Sequence, residues 1–196
     1  MWIKICGMTS AAAVAAALAA RVDAIGFVFA PSVRRVTPEA ALGLARPARG
    51  RCALVAVTLH PDQPLIDEIL QVLRPDILQT DVSDLAALRL PESLARLPVV
   101  RGGSDSGSAA PVRSRLLYES ATSGSGARAD WSHAAELSRE RELILAGGLT
   151  PGNVCEAIAR VRPFGVDVSS GVEADPGRKD PDLIAQFVQA ARKELL

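Results

Sequence analysis

Three side chains suited to moving a proton stand at or near the ends of short apolar runs: Cys6 in MWIKICGMTS, Glu119 in LLYES and Asp167 in GVDVSSGVE. A thiol becomes a useful base only when its pKa falls from about 8.5 toward neutrality. A carboxyl donates a proton at neutral pH only when burial raises its own value. A thiolate and a carboxylic acid on opposite sides of one pocket would make a two-proton isomerase. Each residue also has an ordinary explanation: Cys6 as a small core residue, Glu119 as a solvated strand end.

A second group of residues suits an anion. Gly147 and Gly148 in AGGLT allow a close backbone approach, while Ser169, Ser170 and Gly171 in VSSGVE offer hydroxyls and amides. A short helix following them would aim its positive end at a phosphate. Tight turns alone would account for GG or SSG separately, but two such turns together favour phosphate. Arg34 and Arg35 in APSVRRVTPEA can grip a carboxylate or phosphate with paired hydrogen bonds. An exposed basic pair matched to surface acids is the alternative. Other polar residues at strand ends are Ser32, His60, Thr80, Asp81 and Arg101.

The elements that must position these groups are legible as alternating short apolar runs and helical segments. The runs are WIKIC (2–6), AIGFVF (24–29), CALVAVTL (52–59), DILQ (76–79), PVVR (98–101), RLLYE (115–119), ELILA (142–146) and FGVDV (164–168). Most are continuously apolar, as expected of strands covered on both faces. Helix starts are marked by Thr9 or Ser10, by Thr37-Pro38, by Thr150-Pro151 and by Asp180-Pro181. Eight β/α units predict an α/β chain folded as a (β/α)₈ TIM barrel, a single domain over 1–196. An open doubly wound sheet is the alternative fold. In the barrel, active sites form at the C-terminal strand ends and phosphates bind after strands seven and eight, where GG and SSG fall. The Gly/Ser-rich stretch GGSDSGSAAP (102–111) occupies the fifth βα connection, so the helix there is expected to be short or missing.

Composition excludes several classes. With 22 basic and 22 acidic residues the formal net charge is zero, so nothing attracts nucleic acid or a membrane surface. Aromatic residues make up 4% of the chain, too few for a base-stacking platform. Cys6, Cys52 and Cys155 have no paired spacing, so neither a disulfide framework nor a zinc site is expected. The start of the chain lacks the pattern of a signal peptide, and the alanine-dominated stretch 11–20 is too short to span a bilayer. The expectation is a cytoplasmic protein acting on a small phosphorylated molecule.

Several segments together resemble the phosphoribosylanthranilate isomerase family of tryptophan biosynthesis: KICGMT (4–9), DAIGFVFAPSVRRVTPEAA (23–41), LAGGLTPGNV (145–154) and GVDVSSGVEADPGRKD (165–180). VAVTLHPD (55–62) and LLYESATSGSGARADW (116–131) match less closely but in the same order. The resemblance implies an Amadori rearrangement of N-(5-phosphoribosyl)anthranilate to 1-(2-carboxyphenylamino)-1-deoxyribulose 5-phosphate, needing no cofactor or metal. It implies Cys6 as general base, Glu119 at the position of the general acid, and Arg34 on the anthranilate carboxylate. Asp167 falls on the motif aspartate, a substrate-binding position, and Gly147, Gly148, Ser169 and Ser170 fall on the phosphate loops. The working unit is expected to be a monomer or a homodimer.

The chain departs from the family pattern in places. Glu119 stands where the family has aspartate, LQTDV (78–82) replaces a VQLHG-like segment, His60 replaces an asparagine, and SGSG (123–126) softens a GGTG-like loop. These changes leave room for an isomerase of another phosphorylated aminosugar, or for a phosphate-ester-binding relative without catalysis.

Overall fold

The structure is a computed structural model and describes residues 1–102, 115–120 and 129–193. Eight strands run β1 (Trp2–Cys6), β2 (Ala24–Val28), β3 (Ala53–Val57), β4 (Ile77–Asp81), β5 (Ala95–Arg101), β6 (Arg115–Glu119), β7 (Glu142–Leu145) and β8 (Gly165–Val168). Each pairs in parallel with the next, and β8 pairs with β1 to close the barrel. Every expected strand is present, β1 and β6 with the expected ends and the others with ends moved by at most three residues.

The apolar runs are continuous because each strand is covered twice. Ile3, Ile5, Ile25, Phe27, Leu54, Leu116 and Tyr118 belong to the core between barrel and helices. Leu97, Val99, Leu117, Ile144 and Ala146 form a second, separate cluster that fills the barrel. Side chains alternate faces along a strand. Counting by twos from those residues therefore turns Lys4, Cys6, Gln79, Arg101, Glu119 and Asp167 inward.

Among the described residues the helices are α1 (Ala11–Ala19), α2 (Pro38–Ala45), α3 (Gln63–Val72), α4 (Val82–Leu85), α5 (Trp131–Leu137), α6 (Val154–Val161) and α7 (Pro181–Lys193). Ser10 caps α1 by accepting from the Ala13 amide, and Thr37 caps α2 through Ala40. Asp180 accepts from the amides of Asp182 and Leu183 at the start of α7. Thr150-Pro151 does not start a helix. Asn153 Oδ1 accepts from the Thr150 amide at 2.8 Å and its Nδ2 donates to the Gly148 carbonyl at 2.8 Å, so this segment is a closed loop and α6 begins at Val154.

Beyond β8 comes a feature the apolar pattern does not announce, a small antiparallel hairpin of β9 (Glu173–Asp175) and β10 (Arg178–Lys179). The stretch 102–111 after its first residue, the helix expected to be short or missing there, and SGSG 123–126 lie outside the described residues. No helix among the described residues is long and apolar enough to cross a membrane.

Candidate active site

A cavity of about 200 Å³ opens at the C-terminal ends of the strands, and Cys6, Arg34, Glu119, Gly147, Gly148, Asp167, Ser169 and Ser170 all line it. They come from five separate stretches of the sequence, and the barrel brings them to one place.

Cys6 ends β1 and is buried. Two residues earlier on the same inward face lies Lys4, which is wholly buried and donates through Nζ to Asp167 Oδ2 at 2.9 Å. The two strands place this pair in register, Lys4 opposite Asp167. The Cys6 thiol lies above its ordinary value: burial pushes it up most and Asp167 adds to that, while Lys4 and Lys179 pull it only part of the way back. Asp167 Oδ1 is buried and has no hydrogen-bond partner among the described residues. An unpartnered carboxylate oxygen in a cavity wall is poised to accept from a ligand's hydroxyl.

The arginine pair splits. Arg35 is exposed, whereas Arg34 turns inward and is 9% exposed. Gly7, at a φ of +78°, lets it pass: a Cβ there would stand 2.6 Å from Arg34 Cδ. Arg34 Nε and Nη2 donate to the two oxygens of Glu173 at 2.7 and 2.8 Å, a two-pronged contact supplied by the terminal hairpin. Lys179, also buried, donates to Glu173 Oε1 at 2.5 Å and to the carbonyl and hydroxyl of Ser169 at 3.1 and 3.2 Å. The Ser169 hydroxyl donates in turn to the Cys6 carbonyl at 3.1 Å. The hairpin thus ties the arginine, the loop after β8 and the end of β1 together.

Glu173 is the hub of this network. Burial alone would raise its carboxyl, but the Arg34 and Lys179 hydrogen bonds and the Gly177 amide bring it from an ordinary 4.5 down to about 2. Because the folded-state value is the lower one, the contribution to stability is complete above about 4.5 and fades as pH falls toward about 2. At about 1.4 kcal/mol per pH unit this is on the order of 3 kcal/mol. Glu173→Gln is therefore expected to flatten the acid limb of stability. Urea midpoints recorded from about pH 5 down to about pH 3 should drop less steeply than in the parent protein. Parallel slopes would overturn the assignment.

The two glycine- and serine-bearing loops after β7 and β8 meet beside the end of β1. Gly147 and Gly148 have φ of 88° and 65°, values that favour glycine, and Asn153 holds the Gly148 carbonyl. A Cβ at Gly171 would lie 1.8 Å from the Leu149 carbonyl, so the two loops pack backbone to backbone there. Because the Ser169 hydroxyl is already engaged, that residue has its backbone amide to offer an anion. A 3₁₀ turn over Ser170–Val172 follows β8.

Across the barrel mouth, Glu119 ends β6 and Arg101 ends β5. Arg101 Nη2 lies 3.0 Å from Glu119 Oε1, and its Nη1 contacts Asp81 Oδ1. One guanidinium thus faces two carboxylates. Asp81 is half-buried but stands back from the cavity lining. Thr80 donates to Asp84 Oδ2 at 2.6 Å, and the exposed His60 ring pairs with Asp84 Oδ1 at 2.8 Å. Among the described residues His60, Asp81 and Asp84 are the group whose ligand atoms lie close enough for a metal ion, within 4.8 Å of one another. The Arg101 guanidinium on Asp81 opposes a cation there.

Lys4, Glu173, Lys179 and Asn153 were not singled out from the sequence. Lys4 had a signal: it sits at i, i−2 from Cys6 and so on the same face of β1.

Comparison with known proteins agrees across the whole length. A family model described as N-(5'-phosphoribosyl)anthranilate (PRA) isomerase matches residues 3–190. The N-(5'-phosphoribosyl)anthranilate isomerase of Rhodopseudomonas palustris is 40% identical over 207 residues, covering 97% of each chain. The crystal structure of phosphoribosyl anthranilate isomerase from Thermotoga maritima superposes with a TM-score of 0.83 at 30% identity, over 98% of this chain and 99% of that one. A phosphoribosyl anthranilate isomerase in complex with reduced 1-(o-carboxyphenylamino)-1-deoxyribulose 5-phosphate gives 0.81 at 30% identity, with the same coverage.

Proposed function

The chain belongs to the N-(5'-phosphoribosyl)anthranilate isomerase family, and on that premise we propose how its own residues carry out the rearrangement. The substrate's phosphate lies against the backbone of Gly147, Gly148, Ser169 and Ser170. Its anthranilate carboxylate reaches Arg34, whose Nη1 is not taken up by Glu173. Asp167 Oδ1 accepts from a ribose hydroxyl.

Glu119, held by Arg101, protonates the furanose ring oxygen, and the ring opens to a Schiff base. The Cys6 thiolate then removes the C2 proton. The enol amine that results tautomerises to the ketone, with no group beyond acid and base called on. The chain works in the cytoplasm on this small phosphorylated substrate, as a monomer or a homodimer.

The observation that carries this reading is a single cavity lined at once by a thiol, a carboxyl and both anion loops. Purified protein is expected to consume phosphoribosylanthranilate, generated in place because it is labile, with loss of anthranilate-type fluorescence. It should also restore growth without tryptophan to a strain lacking this isomerase. Folded protein that leaves the fluorescence decay at its uncatalysed rate would sink the proposal.

A further inference from the structure

Lys4 is the buried charge that the mechanism above leaves unused. A wholly buried ammonium is costly unless it is paired, and Asp167 Oδ2 at 2.9 Å supplies one partner. The packing supplies a second. On β2 the residue beside Lys4 and Cys6 is Gly26, and a Cβ there would stand 3.0 Å from Cys6 Sγ and 3.1 Å from Lys4 Cε. The absence of a side chain on β2 lets the end of the lysine and the sulfur share one small space.

The other charged groups facing Cys6 are Lys179 on β10, Arg34 in the loop after β2 and Asp167 on β8. Lys179 and Arg34 are both engaged by Glu173. Among the described residues the Lys4 ammonium donates to Asp167, with the Cys6 sulfur beside it over Gly26.

We propose that Lys4 is the counter-ion of the Cys6 thiolate, and that Asp167 competes with Cys6 for it. A substrate hydroxyl donating to Asp167 Oδ1 spreads that carboxylate's charge toward the ligand and leaves more of the ammonium's field to the sulfur. Base activation is thereby linked to occupancy. Lys4 lies beside Cys6 and is absent from the cavity lining, so it is a positioning residue, and the proposal rests on the reading of Cys6 as the base. Burial pulls Lys4 down, yet Asp167 and Cys6 outweigh it and hold the ammonium above the ordinary lysine value.

The test reads the thiol directly and needs no turnover. In a Cys52→Ser, Cys155→Ser background, Cys6 is alkylated with iodoacetamide across a pH series, and the midpoint of the pH–rate curve reports the thiolate. Lys4→Met is expected to raise that midpoint by about one pH unit or more, and Asp167→Asn to lower it. A loosened structure would not move the two variants in opposite directions. A Lys4→Met midpoint equal to that of the background, or an Asp167→Asn midpoint that rises, overturns the proposal. Should Lys4→Met fail to fold, the charge-neutral pair Lys4→Met, Asp167→Asn replaces it. Its midpoint is expected above that of Asp167→Asn alone, and equal midpoints overturn the proposal. Failure of the base assignment itself would show separately, as a Cys6→Ala protein that keeps its kcat.

Discussion

Cys6→Ala is expected to lower kcat by about three orders of magnitude while leaving affinity for the product within a few-fold. Removing a positioned general base typically costs about 10²- to 10⁴-fold. The upper half of that range applies because no other thiol stands at the cavity: Cys52 and Cys155 are absent from its lining. Cys6→Ser should do no better, since a hydroxyl at that position ionises far less readily than a thiol. The stability cost should be small, because Cys6 fills little volume and its carbonyl, not its sulfur, takes the Ser169 hydrogen bond. Steady-state kinetics together with product titration separate the two effects. A variant that retained kcat would remove the thiol from the mechanism.

The second large effect is expected on the acid side. Glu119→Gln should reduce kcat by about a hundredfold or more, because an amide cannot deliver the proton that opens the ring. Glu119→Asp, which restores the residue type of the family pattern, is expected to be slower than the parent protein. Shortening the side chain withdraws the carboxyl by about 1.5 Å, away from Arg101, which meets Oε1 at 3.0 Å. Displacements of about 1 Å at a reacting group can cost on the order of a hundredfold. Arg101, braced by Asp81 on its other side, is what makes glutamate the fitting length here. A Glu119→Asp enzyme faster than its parent would mean that the arginine clamp handicaps the acid instead of aiming it.

Much of this was legible before any coordinates. The eight strands announce themselves because both faces of each are covered, which forces uninterrupted apolar runs such as ALVAV and ELIL. Cys6, Glu119 and Asp167 were visible as polar groups at the ends of such runs, and the caps Ser10, Thr37 and Asp180 stood at helix starts. The pattern misled at Thr150-Pro151, where the side chain of Asn153 closes a loop in place of a helical turn.

Other features could not be read locally. The face that Lys4 shares with Cys6 is visible in β1 itself, but its partner Asp167 comes from β8 across the barrel seam. Glu173 and Lys179 lie in two very short strands with no apolar signature, and Glu173 in particular reads as a surface charge until Arg34 arrives from the loop after β2. Which of Arg34 and Arg35 turns inward depends on the room left by Gly7. In each case the missing information is a partner distant in sequence, so local propensity carries no trace of it.

The seam between the first and last strands also governs when the protein becomes an enzyme. Lys4 and Asp167 are 163 residues apart, and a nascent chain emerges from the ribosome with its N-terminus first. β1 therefore carries an ammonium with no counter-ion through most of synthesis, and an unpaired charge resists being enclosed. The closure entropy of so long a loop is also met only at the end. Ring closure and the pairing of Lys4 with Asp167 are then one event.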